Sequence, residues 1–284
     1  MRLRIIFMIT ALCIPTLLFS ADAPSLLRKS MTNVRSLNSC QYTFESYERI
    51  NGKMFFTKAL FKISADPLRI YMYQFAPDKG IEILYLKGKN SGNARVYPGG
   101  FPWKILNLNP YGSLALKNRH HPITHAGFEY TALLIQYLLD KYKSENPRLI
   151  TIEGSDQVHG ADCYKLVLKN PAYQMTTYKT STGENVLSIA SKLKLNYTTI
   201  QENNPSITAA TGLGTIPANT VLTVPNDYAS GMEVFIRKND LFPVRFKIYD
   251  AKGLFEDYSF YDVKPNPAFN DIDFSETNPE YGFD

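Results

Sequence analysis

The sequence predicts an α+β protein: a curved antiparallel sheet packed on helices, with a small βααβ unit inserted into it. Three observations lead there. Segments of alternating apolar and polar residues, rich in Tyr and Phe, follow one another with turn residues between them. Helical periodicity is confined to a few stretches. One of these, "YKTSTGENVLSIASKLKLNYTTIQENNP" at residues 178–205, reads as a turn and two short helices amid strands.

Taken in order, "MRLRIIFMITALCIPTLLFS" has Arg2 and Arg4 before an apolar run, the anatomy of a secretory signal peptide. Its apolar core is shorter than the roughly 20 residues a spanning helix needs. Residues 1–23 are therefore expected to direct export to the periplasm, with cleavage between Ser20 and Ala23; an uncleaved anchor is the alternative. Residues 25–37 suggest an amphipathic helix, with Leu27, Met31 and Val34 on one face. "QYTFESYERI" and "KMFFTKALFKIS" are strands joined by Asn51-Gly52, a strong two-residue hairpin turn. "LRIYMYQF", "EILYLKG" and "NARVYPGG" continue the meander. "PYGSLALKN" and "HAGFEYTALLIQYLLDKYKSEN" read as helices, the second with Phe128, Ala132, Ile135 and Leu139 on one face. Strands resume with "RLITIEGSDQ" and "ADCYKLVLKN", and after the insert with "GMEVFIRKND", "LFPVRFKIYD" and "GLFEDYSFYDVK". The tail "NPAFNDIDFSETNPEYGFD" reads as polar and extended.

With 284 residues, 44% of them hydrophobic, the chain has ample material for a core. The formal charge of +5 is mild and dispersed, and no run of five basic residues exists, so nucleic acid is not an expected partner. Cys40 and Cys163 both sit in strand-like segments; a disulfide between them and two buried free thiols are the two readings.

The stretch "DLFPVRFKIYDAKGLFEDYSFYDVKPNPAFNDIDFS" resembles the LolA/LolB-like periplasmic lipoprotein carriers. The similarity lies in Phe242-Pro243, the strand ending at Asp250 to Gly253, the aromatic strand Tyr258 to Tyr261, and Asp262-Val263-Lys264-Pro265-Asn266. Asp271 to Phe274 completes it. "YPGGFPWKILNLNPYGSLALKNRHHPITHAG" looks like a branch of that superfamily. The resemblance covers most of residues 25–172 and 230–284, and implies an incomplete barrel whose apolar interior holds acyl chains. Aromatic density offers Tyr42, Phe44, Ile70, Met72, Ile83, Tyr85, Phe246, Ile248 and Tyr258 as cavity lining; plain core packing is the competing reading.

Residues 173–228 resemble a LysM module, the small glycan-binding βααβ domain. Gly183-Glu184-Asn185-Val186 is similar to that family's first turn, Ser188-Ile189-Ala190 to its helix triplet, and Asn203-Asn204-Pro205 to the end of its second helix. Residues 216–225 are similar to its closing strand. The resemblance implies binding of N-acetylglucosamine glycan, chiefly peptidoglycan, in a groove of Gly183, Glu184, Asn185 and Val186 facing Asn204, Pro205, Ser206 and Ile207. Asn185 departs from the usual Thr, and "SITAATGLGT" is expected as a longer second loop; a spacer without glycan affinity is the alternative. The expected organisation is a LolA-like domain at 24–172 and 229–284 carrying a LysM domain at 173–228.

His120, His121 and His125 cluster in "RHHPITHAG", but Pro122 separates the last two from a common helix face and no HExxH motif accompanies them. No metal and no cofactor is expected. Fingerprints of nucleotide binding or serine hydrolysis do not occur. The sequence thus points to a monomeric, non-catalytic envelope protein with peptidoglycan and a lipid or lipoprotein as partners. A structural wall–membrane linker and a peptidoglycan hydrolase are the alternatives.

Overall fold

Alternating inward and outward side chains along most of the chain build one large sheet, and the computed structural model describes it over residues 22–101, 104–143 and 149–283. Residues 1–21 of the expected signal peptide lie outside these. Helix α1 (Ala23–Arg35) starts at Asp22, whose carboxylate accepts the Ser25 N–H at 2.7 Å, with Pro24 in its first turn. Strands β1 (Ser39–Ile50), β2 (Lys53–Ser64), β3 (Arg69–Ala76), β4 (Glu82–Leu86), β5 (Ala94–Tyr97) and β6 (Leu106–Leu108) form a meander. Asn51 and Gly52, at φ of 50° and 75°, make the first hairpin turn. Helix α2 (Glu129–Lys141) precedes β7 (Ile150–Val158) and β8 (Ala161–Lys169). Strands β11 (Gly231–Arg237), β12 (Pro243–Asp250) and β13 (Gly253–Pro265) complete an eleven-stranded antiparallel sheet, in the order β6-β5-β4-β3-β2-β1-β13-β12-β11-β8-β7. The curved sheet stays open, with β6 and β7 as its edges.

The period of two fixes what each face buries. On the inner face, Tyr42, Ile63, Met72, Val234, Phe246 and Phe260 pack with Leu27, Met31 and Val34 of α1 and Ala132, Ile135 and Leu139 of α2. Fully burying each large apolar side chain contributes about 1.5–3 kcal/mol. On the outer face, Tyr71 and Leu84 meet Phe274, Tyr281 and Phe283 of the C-terminal tail. That tail is therefore not simply extended: a 3-10 turn at Asp271–Phe274 and the Tyr71–Tyr281 stack, 3.7 Å between centroids, fold it onto the sheet. Its polar composition hid three aromatic anchors.

Residues 110–118 form successive turns, not the expected helix. Only Pro110 and Leu116 among them are buried, six positions apart, so no apolar stripe exists to hold a helix against the sheet.

The insert contains β9 (Met175–Lys179), α3 (Val186–Leu193), α4 (Tyr197–Asn203), α5 (Pro205–Thr211) and β10 (Val221–Pro225). Its two strands pair with each other, Val221 opposite Lys179. The flanking strands β8 and β11 are hydrogen-bonded neighbours, so the chain leaves and rejoins the sheet at one place. Gln174 and Asn226 clamp that place: the Asn226 N–H reaches the Gln174 carbonyl at 3.0 Å, and the Gln174 N–H reaches Asn226 Oδ1 at 3.0 Å. Helix α5 stands where a loop was expected; Pro205 opens it and two alanines, Ala209 and Ala210, favour it. The insert has its own core of Val186, Ile189, Ile200, Ile216, Leu222 and Val224, into which Leu116 of the sheet domain also projects.

Cys40 and Cys163 are buried free thiols. A disulfide is excluded by position: Cys40 faces the inner core and Cys163 the outer one. Their strands are four steps apart in the sheet order, about 19 Å at the usual strand spacing, against the roughly 4.4–6.8 Å between Cα atoms that a bridge requires.

Candidate functional site

The inner face of β1 passes from apolar to polar along one parity: Tyr42, Phe44, Ser46, Glu48. Strand β13, paired with it, follows the same course, with Phe260 opposite Phe44, Tyr258 opposite Ser46 and Glu256 opposite Glu48. On β3, Met72 is followed at the same parity by Gln74. These strands enclose a cavity of about 540 Å³. Its walls are Tyr42, Phe44, Phe61, Met72, Ile83, Val96, Tyr258 and Phe260; its cover is the 3-10 turn Ile123–His125 and Tyr130 of α2. Its polar end carries Glu48, Gln74, Arg119 and His121.

Five of the nine residues expected to line a cavity do so: Tyr42, Phe44, Met72, Ile83 and Tyr258. The other four do not reach it. Ile70, Tyr85, Phe246 and Ile248 lie on the same face but are absorbed into the packed core.

Placing two carboxylates directly opposite each other in a sheet is unfavourable unless donors surround them. Here they do. Glu48 Oε1 accepts the Tyr258 hydroxyl at 2.7 Å, and Oε2 accepts the His120 backbone N–H at 3.1 Å. Four groups surround Glu256 Oε1: His120 Nδ1 at 2.7 Å, the Tyr228 hydroxyl at 2.8 Å, and His121 Nε2 and Asn196 Nδ2 at 3.2 Å. Glu256 is 0% exposed and its Oε2 is enclosed without a partner. Burial by itself would raise its pKa, but the adjacent His121 and His120 hold it well below the usual carboxylate range. His120 Nε2–H donates to the Arg49 carbonyl at 2.9 Å while Nδ1–H faces the Glu256 carboxylate, so both ring nitrogens carry protons. The Glu256 hydrogen bond accordingly raises the His120 pKa against the effect of burial. Arg49 in turn pairs with Asp250.

His121 and His125 line the cavity, whereas His120 is buried behind it. The His125 ring stacks on Tyr130 at 4.0 Å, and burial, with the neighbouring His121, lowers its pKa to about 3. Among the described residues no group of three or more His, Cys, Asp or Glu is placed to hold a metal ion.

The insert touches this cluster directly. Asn196 caps α4 by accepting the Thr198 N–H at 2.9 Å, and its Nδ2 also donates to the Tyr228 hydroxyl at 3.1 Å. The Tyr197 hydroxyl donates to the Arg119 carbonyl at 2.6 Å. Asn196, which opens an Asn-x-Thr sequon, is 3% exposed and committed to these bonds. Of the residues expected in a glycan groove, Val186 is core and Asn204 is buried, its side chain bonded to Ile200 and Thr223. Gly183, Pro205 and Ser206 are exposed, and Glu184, Asn185 and Ile207 partly so. The Ser181 N–H, then the Tyr178 hydroxyl and Lys192, hold Glu184 down at about 2.

A model of the family described as "Protein of unknown function (DUF1571)" matches residues 37–205. The chain belongs to the DUF1571 family. That span takes in Glu48, Gln74, Arg119, His120, His121 and Asn196 and ends at Pro205, the first residue of α5; Tyr228 and Glu256 lie beyond it. No curated protein matches the chain. Among solved structures, it is similar to the Mycobacterium tuberculosis lipoprotein LppX at 15% identity and a TM-score of 0.40, over 87% of this chain and 98% of that one. It is similar to the MucA/MucB complex of Pseudomonas aeruginosa at 13% identity and a TM-score of 0.41, over 90% of this chain and 61% of that one. A putative outer membrane lipoprotein-sorting protein domain from Vibrio parahaemolyticus matches at 9% identity and a TM-score of 0.35, over 88% and 95%.

The sequence reading missed the polar end. Parity along β1 carries on from Tyr42 and Phe44 to Ser46 and Glu48, and following it two residues further would have found the gradient. The pairing of His120 with Glu256, 136 positions later, has no local signature.

Proposed function

We propose that the protein is an exported, non-catalytic binding protein of the cell envelope that holds an apolar chain in its inner cavity. One observation carries this reading: a space of about 540 Å³ with aromatic and aliphatic walls and a polar end. A cavity of this size falls in the range of small-molecule sites, roughly 300–1,000 Å³, and apolar walls with a few placed polar groups are their usual chemistry. The insert is read as a LysM-type module that ties the protein to peptidoglycan through Gly183, Glu184, Asn185, Pro205, Ser206 and Ile207. Its exposed groove residues support that assignment. The place of action is then the periplasm, with the sheet domain working close to the wall.

Native extraction followed by mass spectrometry of the purified full-length protein tests the cavity. Acyl-chain lipids are expected in near-stoichiometric amount, and a lipid-free protein that takes up no added amphiphile refutes the reading. Co-sedimentation with insoluble peptidoglycan tests the insert. Ser206→Trp, at an exposed position, should reduce it strongly; equal sedimentation of both proteins refutes the tether.

A further inference from the structure

Arg119 places a guanidinium at the polar end of the cavity, with no ionic partner among the described residues. Its Nη2 donates to Gln74 Oε1 at 2.7 Å, and Gln74, 1% exposed, is itself fixed by donating to the Asp78 carbonyl at 3.0 Å. Among the described residues no carboxylate lies within 4.0 Å of the guanidinium. A guanidinium offers five N–H groups in a planar fork, and one neutral amide answers a single one of them. Burial pushes the Arg119 pKa below its ordinary value and the Glu48 charge pushes the other way; an arginine stays protonated in either case. Glu48, the carboxylate whose charge acts on Arg119, already accepts a hydrogen bond on each oxygen, one from Tyr258 and one from the His120 backbone. A second polar group of the same lining, His125, has its Nδ1 enclosed without a hydrogen-bond partner.

We propose that the ligand is an anionic amphiphile, its acyl chain along the Tyr42, Phe44 and Met72 wall and its carboxylate or phosphate head seated on the Arg119 guanidinium. This rests on the cavity reading and adds the chemistry of the head. Planar N–H forks match oxyanions with two parallel bonds, and such charge-assisted bonds strengthen where water is excluded. Gln74 acts as the positioning residue, since its amide oxygen holds one edge of the guanidinium and leaves the other edges to the cavity. Glu48 keeps Arg119 from being an unbalanced charge when the cavity is empty, without forming a direct pair that a ligand would have to break.

The test uses the full-length, delipidated protein and three probes of equal chain length: palmitate, hexadecyl phosphate and hexadecanol. Palmitate or hexadecyl phosphate, or both, should bind more tightly than hexadecanol, and the stronger of the two identifies the head-group class. Arg119→Gln should weaken the preferred anion by about 10- to 100-fold, the equivalent of one charge-assisted hydrogen-bonded pair, and leave hexadecanol unchanged. Arg119→Lys should recover part of the loss, which a purely structural role for the residue would not produce. Equal binding of all three probes, insensitive to Arg119→Gln, overturns the anionic head while leaving the apolar cavity standing. Binding of none of them overturns both.

Discussion

Replacing Glu256 with Gln removes the charge at the centre of the polar cluster while preserving its shape. Four groups converge on one carboxylate oxygen: His120 and His121 of one segment, Asn196 of the insert, and Tyr228 just before β11. A hydrogen bond to an ionised group contributes about 1.5–3 kcal/mol and a neutral one about 0.5–1.5 kcal/mol. Losing roughly 1 kcal/mol at each contact gives a cost of about 4 kcal/mol, in line with the roughly 3–5 kcal/mol for breaking a buried ion pair. The pH dependence has two limbs. The carboxylate's pKa is depressed by folding, so its contribution is full above the unfolded value near 4.5 and is lost as pH falls below it. The His120 pKa is raised, so its contribution is full below the unfolded value of 6.5 and is lost as pH rises through the folded one. Urea denaturation of wild type and Glu256→Gln, from pH 3.5 to 9, measures both limbs. The two curves should be farthest apart between these values, and the gap should narrow by about 1 kcal/mol as pH falls to 3.5. A difference below about 1 kcal/mol near neutrality, or a gap that stays constant into acid, would refute the ionised-cluster account.

Three further outcomes follow from the geometry. His125→Phe keeps the stacking on Tyr130 but removes a ring held neutral down to about 3. Between pH 7 and pH 3 the variant should therefore gain about 4 kcal/mol relative to wild type, read from paired denaturation curves. Tyr281→Ala deletes the ring stacked on Tyr71 and should cost about 3 kcal/mol, with limited proteolysis cutting the tail first; uniform cleavage would argue against a tail clamp. Burial pushes the Cys40 thiol up to about 12, so a disulfide-exchange reagent should find Cys40 and Cys163 inert in the native protein and both reactive in denaturant.

The strands were legible because period-two alternation needs no partner to be seen: β1, its Asn51-Gly52 turn and β2 read directly from "QYTFESYERINGKMFFTKALFKIS". Helix α2 was legible for the same reason at period 3.6. Residues 110–118 misled because Leu114 and Leu116 imitate an apolar stripe, although Leu114 is 59% exposed. The tail misled in the other direction, since Phe274, Tyr281 and Phe283 are too widely spaced to register as a pattern. The cavity was half legible. Aromatic density pointed to the right face, but which residues touch empty space depends on where α2 and the 123–125 turn sit. The histidine cluster was noticed as a possible metal site; its acidic partner arrives from β13, beyond any local window.

The pairing of β1 with β13 also governs how the chain can fold. Phe44 lies beside Phe260 at the middle of the sheet, so the two ends of the sheet domain must meet before the inner core exists. Closing so long a loop costs more entropy than closing a hairpin, and pairings this distant in sequence slow folding. A chain emerging from its N-terminus can form the β1–β2 hairpin early, yet it presents the other edge of β1, with its aromatic inner face, until the last strand arrives. Such an edge is a template for mispairing. Truncation anywhere before β13 should thus give an aggregating product rather than a smaller folded one, and refolding of the whole chain should be limited by this single late closure.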